Sequence, residues 1–271
     1  MQTQRAIKVI TMVFLCLYAV GLQASDRAKE KRWAEQIVND LVNGQPQWLR
    51  ADGHPFLAIY TPAAGSKPLG GVILLHGMGA NPDWPQIIQP LRSELPDSGW
   101  TTLSLQMPVL PNDAPVKNYV PLFSEVPGRI NAGIAFLRAQ GIRNIVIIGH
   151  SLGSAMGAWY LASTKHPPIK AFVGIGMIAS PVDPHLNTAT SLEKITIPVL
   201  DIYGSEDLPG VLSSAKARAT AAKKAGNRFY RQEQVPGADH FFNNQSPALV
   251  KRVRVWLQRH AVEKPKKPVA H

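Results

Sequence analysis

The sequence predicts an α/β protein built on one mostly parallel sheet with helices on both faces. Three observations carry this expectation. From Gly70 onward, short apolar runs alternate with longer segments patterned as helices. Those runs are apolar throughout, as strands buried on both faces must be. No internal repeat or linker interrupts the pattern, so the 271 residues read as one domain with added ends. Hydrophobic residues make up 45% of the chain, enough for a substantial core.

The elements follow in order. Residues 26–42 read as an amphipathic helix, with Trp33, Ile37 and Leu41 four apart and Ala34 and Val38 alongside. The stretch W-L-R-A-D-G-H-P-F-L-A-I-Y then reads as a hairpin turning at Asp52-Gly53. Strands are expected at 72–75, 101–105, 145–148, 171–175 and 198–203, with a more polar one at 228–235. Helices are expected between them at 87–95, 129–140, 154–163 and 213–225, and a closing helix at 246–260.

The two ends differ in composition from this domain, which is expected to span 25–262. Arg5 and Lys8 precede an uncharged run at 9–22, too short to span a bilayer comfortably but suited to a secretory leader. Residues 1–24 therefore read as a signal peptide, cut after Gly21 or after Ala24, which implies a periplasmic or secreted protein. An uncleaved N-terminal membrane anchor is the competing reading. The only cysteine, Cys16, lies in that run. The mature protein is thus expected to have no disulfide, no cysteine-held metal and no cysteine nucleophile. The net charge is +11, part of it in a tail at 263–271 where Lys264, Lys266 and Lys267 interleave with Pro265 and Pro268. Such a tail reads as a disordered end that attracts an anionic envelope surface weakly. No basic stripe interleaves with aromatics, which points away from nucleic acid as a partner.

The chemistry begins at V-I-I-G-H-S-L-G-S-A-M-G-A, residues 146–158. An apolar strand runs into a G-x-S-x-G turn, and a helix of small residues follows. A serine on so sharp a turn stands clear of the sheet, and Gly149 and Gly153 remove side chains that would collide with neighbouring backbone. The bland alternative is a serine that merely caps a helix.

With that strand–serine–helix context, the chain resembles the α/β-hydrolase superfamily over about residues 48–260. The resemblance implies an α/β-hydrolase fold, with the nucleophile after the fifth strand, the acid after the seventh and the histidine after the eighth. The matching positions are Ser151, Asp207 in Y-G-S-E-D and His240 in V-P-G-A-D-H. The segment L-L-H-G-M-G at 74–79 is similar to the family's oxyanion loop, which implies oxyanion donors at the backbone N–H groups of Met78 and Leu152. More narrowly, H-G-M-G-A-N-P-D-W-P resembles a bacterial group of exported hydrolase-like proteins of unknown function.

These residue types suit the reaction. A serine hydroxyl is a poor nucleophile until a base takes its proton, and an imidazole does so near neutral pH. A carboxylate then orients that imidazole and stabilises its charged form. Asp201 and Glu206 compete with Asp207 for the acid's place, but Asp201 lies within a strand and points to a sheet face. Asp239 reads as a loop charge. His76 and His150 sit in motifs that use histidine for loop hydrogen bonds, and His166 and His185 lie in polar loops where solvated side chains are expected. No His/carboxylate cluster has metal-ligand spacing, so neither a metal nor another cofactor is expected.

Gly77, Trp84 and His150 are expected to contact substrate, Trp84 and Met78 from the rim. The proline-rich segment 107–128 reads either as a lid or binding loop or as cover for the core, and Leu110, Val116, Tyr119, Leu122 and Phe123 take their roles accordingly. About twenty residues separate the sixth and seventh strands, too few for a large cap domain. The function expected is that of an exported serine hydrolase, a carboxylesterase acting on a small-molecule or lipid-like ester through an acyl-enzyme. Amidase, peptidase or acyltransferase chemistry would use the same three residues, and a catalytically silent binding protein would keep the fold alone.

Overall fold

The hairpin and the apolar runs assemble into one sheet. In the computed structural model, which describes residues 25–262, eight strands form it: β1 (Gln45–Ala51), β2 (His54–Thr61), β3 (Gly70–Leu75), β4 (Trp100–Leu105), β5 (Ile145–His150), β6 (Ala171–Ile175), β7 (Val199–Glu206) and β8 (Tyr230–Asp239). Their order is β1-β2-β4-β3-β5-β6-β7-β8. β2 runs antiparallel to both neighbours, and every other pairing is parallel. The hairpin turns where expected, with φ of 49° at Asp52 and 80° at Gly53, the paired positive angles of a two-residue turn that matches strand twist.

Helices α1 (Arg27–Asp40), α2 (Ile88–Glu94), α3 (Val126–Ala139), α4 (Leu152–Ser163), α5 (Thr188–Leu192), α6 (Pro209–Lys224) and α7 (Ser246–His260) complete the layers. Alternation along the strands decides which side each residue serves. Ile73, Leu75, Leu103, Leu105, Ile145 and Ile147 pack with α3 and α4. Val72, Leu74, Val146, Ile148, Val173 and Ile175 pack on the other side with α2 and α7. Burying each such side chain contributes about 1.5–3 kcal/mol relative to leaving it in water. Two-sided burial is why these strands carry no polar alternation.

The N-terminal helix is capped by Asp26, whose side chain accepts from the Lys29 amide at 2.9 Å. It ends at Asp40, slightly short of the expected 42, because Leu41 turns to extended backbone. Ala34 and Ile37 pack on Leu57 and Ile59 of β2, whereas Val38 faces outward. Segment 107–128 divides between its two readings. Residues Val116–Glu125 form a 3₁₀ helix, and Leu110, Tyr119, Leu122 and Phe123 are buried in the α3/α4-side core. Val116, exposed, instead lines a surface cavity. The expected leader and the Lys/Pro tail lie outside the described residues. Among the described residues no helix is long and apolar enough to cross a membrane.

Candidate active site

β5 delivers Ser151 at its carboxyl end, and α4 starts at the next residue. Ser151 adopts φ 53° and ψ −120°, a conformation that costs a non-glycine residue about 1–3 kcal/mol. The surroundings hold it there. Its amide donates to Ile175 O at the end of β6 at 2.8 Å, and its carbonyl accepts from the Ser154 hydroxyl at 2.5 Å. Gly149 and Gly153 meet face to face in this turn. A Cβ on Gly149 would lie 2.5 Å from Gly153 O, and one on Gly153 would strike the backbone of Leu75 and His76.

The two expected partners arrive from the ends of β7 and β8. His240 follows β8 directly and places Nε2 2.9 Å from Ser151 Oγ. Its Nδ1 lies 2.6 Å from Asp207 Oδ1. Asp207 follows β7 directly, and the turn holds its carboxylate: Leu208 N donates to Oδ1 at 2.8 Å and Gly204 N to Oδ2 at 3.2 Å. All three side chains thus join one hydrogen-bonded chain. A serine so placed can lose its proton to the imidazole, with Nδ1–H directed at the carboxylate.

Asp201 does something else. Its Oδ2 accepts from Arg218 Nε (2.7 Å), Tyr230 Oη (2.6 Å) and Gln232 Nε2 (2.8 Å), and both it and Arg218 are fully buried. Glu206 is exposed.

The loop after β3 is held by a buried histidine. His76 Nε2 accepts from Met107 N at 2.9 Å, so Nδ1 carries the proton and donates to Gly77 O at 2.9 Å. Burial pushes this imidazole down to about 4, which keeps it neutral. Among the described residues the amides of Met78 and Leu152 donate to no protein group. Gly79, at φ 69°, lets the loop turn at this point.

The residues expected to touch substrate fare differently. Gly77 lies beside Ser151, and a Cβ there would sit 3.1 Å from Ser151 Cβ. His150 is buried and is not on the cavity wall: its Nε2 donates to His240 O at 3.0 Å, and its ring lies 4.9 Å from the His240 ring. Burial, followed by the neighbouring His240, pushes it down to about 3. Trp84 is not at the rim either. A turn closed by Asn81, whose side chain accepts from the Asp83 amide, reverses the chain before α2 and packs Trp84 on the α2/α7-side core.

A cavity of about 310 Å³ opens at Ser151 instead. Met78, Val116 and Leu208 are exposed at its mouth, while Leu152, Ala155 and Leu186 are buried. Ile178 and Ser180 complete it. The short segment between β6 and β7 supplies Ile178, Ser180 and Leu186, which sequence reasoning missed because nothing local separates a cavity wall from core. Gly176 was missed as well. At φ 60° it runs beneath the His240 ring, and a Cβ there would lie 2.8 Å from Cε1. His185, expected in solvent, bonds Asp183 Oδ1 at 2.7 Å and packs against Phe123 and Trp159.

Solved structures share this architecture. A putative dienelactone hydrolase from Klebsiella pneumoniae is 16% identical with a TM-score of 0.66, covering 80% of this chain and 98% of its own. Est1E from Butyrivibrio proteoclasticus is 16% identical with a TM-score of 0.61, covering 80% and 99%. XC6422 from Xanthomonas campestris, described as an a/b serine hydrolase without lid, is 16% identical with a TM-score of 0.62, covering 84% and 98%. The α/β-hydrolase fold without a large cap is therefore shared. No curated protein matches the sequence. Over residues 21–127 and 121–259 the sequence matches the family described as "Protein of unknown function (DUF3530)", and the chain belongs to that family.

Proposed function

We propose that the protein is an exported serine hydrolase that cleaves carboxylic esters of apolar acyl groups through an acyl-enzyme. The reading rests on one observation above all, the unbroken chain from Ser151 Oγ through His240 to Asp207 at 2.9 and 2.6 Å. In the first half-reaction His240 Nε2 takes the Ser151 proton as Oγ bonds to the ester carbonyl carbon. The amides of Met78 and Leu152 receive the developing oxyanion, a contribution of about 3–4 kcal/mol for one such donor. The tetrahedral adduct collapses, the C–O bond to the alcohol breaks, and His240 returns the proton to the leaving oxygen. Water then repeats the sequence on the acyl-enzyme and releases the acid.

The cavity supports an apolar acyl group. Among the described residues no charged side chain lines it. At about 30 Å³ for each water-sized unit, its volume holds roughly ten non-hydrogen atoms.

Two measurements test the reading together. A fluorophosphonate probe is expected to label the folded wild type and not Ser151→Ala. Turnover of p-nitrophenyl esters is expected to peak at acyl chains of roughly four to ten carbons and to fall for longer ones. Absence of labelling on folded wild type would overturn the enzyme reading in favour of a binding protein.

A further inference from the structure

Away from Ser151, a second constellation surrounds the start of the domain. Ser25 is only 6% exposed. Its backbone nitrogen donates to Glu125 Oε1 at 2.9 Å, and its hydroxyl donates to Oε2 of the same carboxylate at 2.8 Å. Arg129, one helical turn beyond Glu125, closes the cluster. Its Nη2 donates to Glu125 Oε2 at 3.0 Å and to Ser25 Oγ at 3.2 Å. Both terminal nitrogens also grip the Glu30 carboxylate at 2.9 Å.

The charges here do not balance. One guanidinium serves two carboxylates, and both Arg129 and Glu30 are buried. Other charges nearby do not supply the difference. The Lys29 ammonium is turned to Leu110 O at 2.8 Å and Asn112 Oδ1 at 2.7 Å, and Asp26 lies beside it as a countercharge. Arg27 and Asp52, of opposite sign, line the adjoining cavity of about 350 Å³ with His54. Burial pushes the Glu30 carboxyl up despite Arg129, whereas the partly buried Glu125 carboxyl is held down, against burial, by its hydrogen bonds from Ser25 and by Arg129. A peptide N–H gives Glu125 one hydrogen and no charge. An α-ammonium in the same place would give a full positive charge and further donors.

We infer that Ser25 is the first residue of the mature protein, and that its α-ammonium pairs with Glu125 to complete this buried cluster. Hydrolysis of the Ala24–Ser25 bond produces it: water adds across the amide, the carboxylate stays on Ala24, and the released Ser25 amine takes a proton. The catalyst is a leader peptidase acting on the unfolded precursor, since folding buries Ser25. The leader offers two cutting points, after Gly21 and after Ala24. The cluster selects the second, because cutting at Gly21 would leave Ser25 N an uncharged peptide amide beside Glu125. The inference is independent of the chemistry at Ser151.

Export of the full chain in a bacterium, followed by intact-mass measurement, is expected to give a protein beginning at Ser25. A start at Leu22, or an uncut chain retained as an anchor, would overturn the inference. Residues 25–271 with a free Ser25 amine should melt roughly 5 °C above the same chain acetylated on Ser25, which keeps the N–H but loses the charge. In Glu125→Gln the two forms should melt together. Equal melting of the two wild-type forms refutes the ion pair, and that comparison decides alone if Glu125→Gln does not fold.

Discussion

Asp201 and Asp207 stand six residues apart, both buried and both on the segment formed by β7 and the turn after it, beside β8. One lies inside the strand and the other just past it. That difference alone sets their chemistry. Inside the strand, Asp201 points to a sheet face, and α6 and β8 supply it with a guanidinium, a phenol and an amide. Three donors on one oxygen make it a fastener between elements. Beyond the strand, Asp207 is gripped by the turn that holds it and offers Oδ1 to an imidazole carried by another strand. Secondary structure thus separates a structural carboxylate from one that can take part in chemistry.

The contrast can be broken by exchanging each carboxylate for its amide. Asp207→Asn is expected to have the largest effect, a fall in kcat of about ten-thousand-fold, with the melting temperature changed little. Steady-state ester hydrolysis beside a thermal melt checks it; full activity would remove Asp207 from the site. Asp201→Asn should do the reverse. Leaving Arg218 buried without its countercharge should cost about 3–5 kcal/mol of stability, while the folded fraction keeps kcat/KM within a few-fold. Urea unfolding and active-site titration measure the two quantities separately. Loss of turnover in a stable Asp201→Asn protein would show that the acid had been misassigned.

The smallest effect sharpens the same comparison, because it belongs to the Asp207 end of the sheet. His76 and His150 are pushed down from 6.5 to about 4 and about 3. Between pH 6.5 and these values the unfolded chain holds protons on both groups and the folded chain does not. Stability is therefore fully present above pH 6.5 and falls as the medium is acidified, by up to about 1.4 kcal/mol per pH unit for each group. Urea midpoints at three pH values between 7.5 and 5 should show this slope, and His76→Gln should flatten it by about half. An unchanged slope in that variant would mean that His76 is not the group held neutral.

Much of this was legible in the sequence, for identifiable reasons. The two-sided burial of β3, β5 and β6 leaves uninterrupted apolar runs, and Asp52-Gly53 fits a turn that needs two positive φ angles. That Ser151, Asp207 and His240 meet was readable through the superfamily resemblance, because each follows a strand immediately. The cavity was not. Leu208 and Leu186 form its walls while Leu110 and Leu122 fill the core, and only packing against distant elements tells them apart. Trp84 misled because an aromatic beside a glycine-rich loop reads as a rim residue until the turn at Asn81 is known. In the Glu30–Arg129–Glu125 cluster, Glu125 and Arg129 form an i,i+4 pair, but Glu30 joins them from 99 positions away and leaves no local trace.

The hydrogen bond from His150 to the carbonyl of His240 has a consequence for motion. His150 is covalently next to Ser151, so the bond ties the backbone of His240 to the strand that delivers Ser151 across 90 positions of chain. A displacement of the sheet's rim that moves both segments therefore carries Ser151 and His240 together, which buffers the distance between their side chains. Geometry that is fragile to build can in this way be robust to heat and jostling, up to the point where the sheet itself gives way.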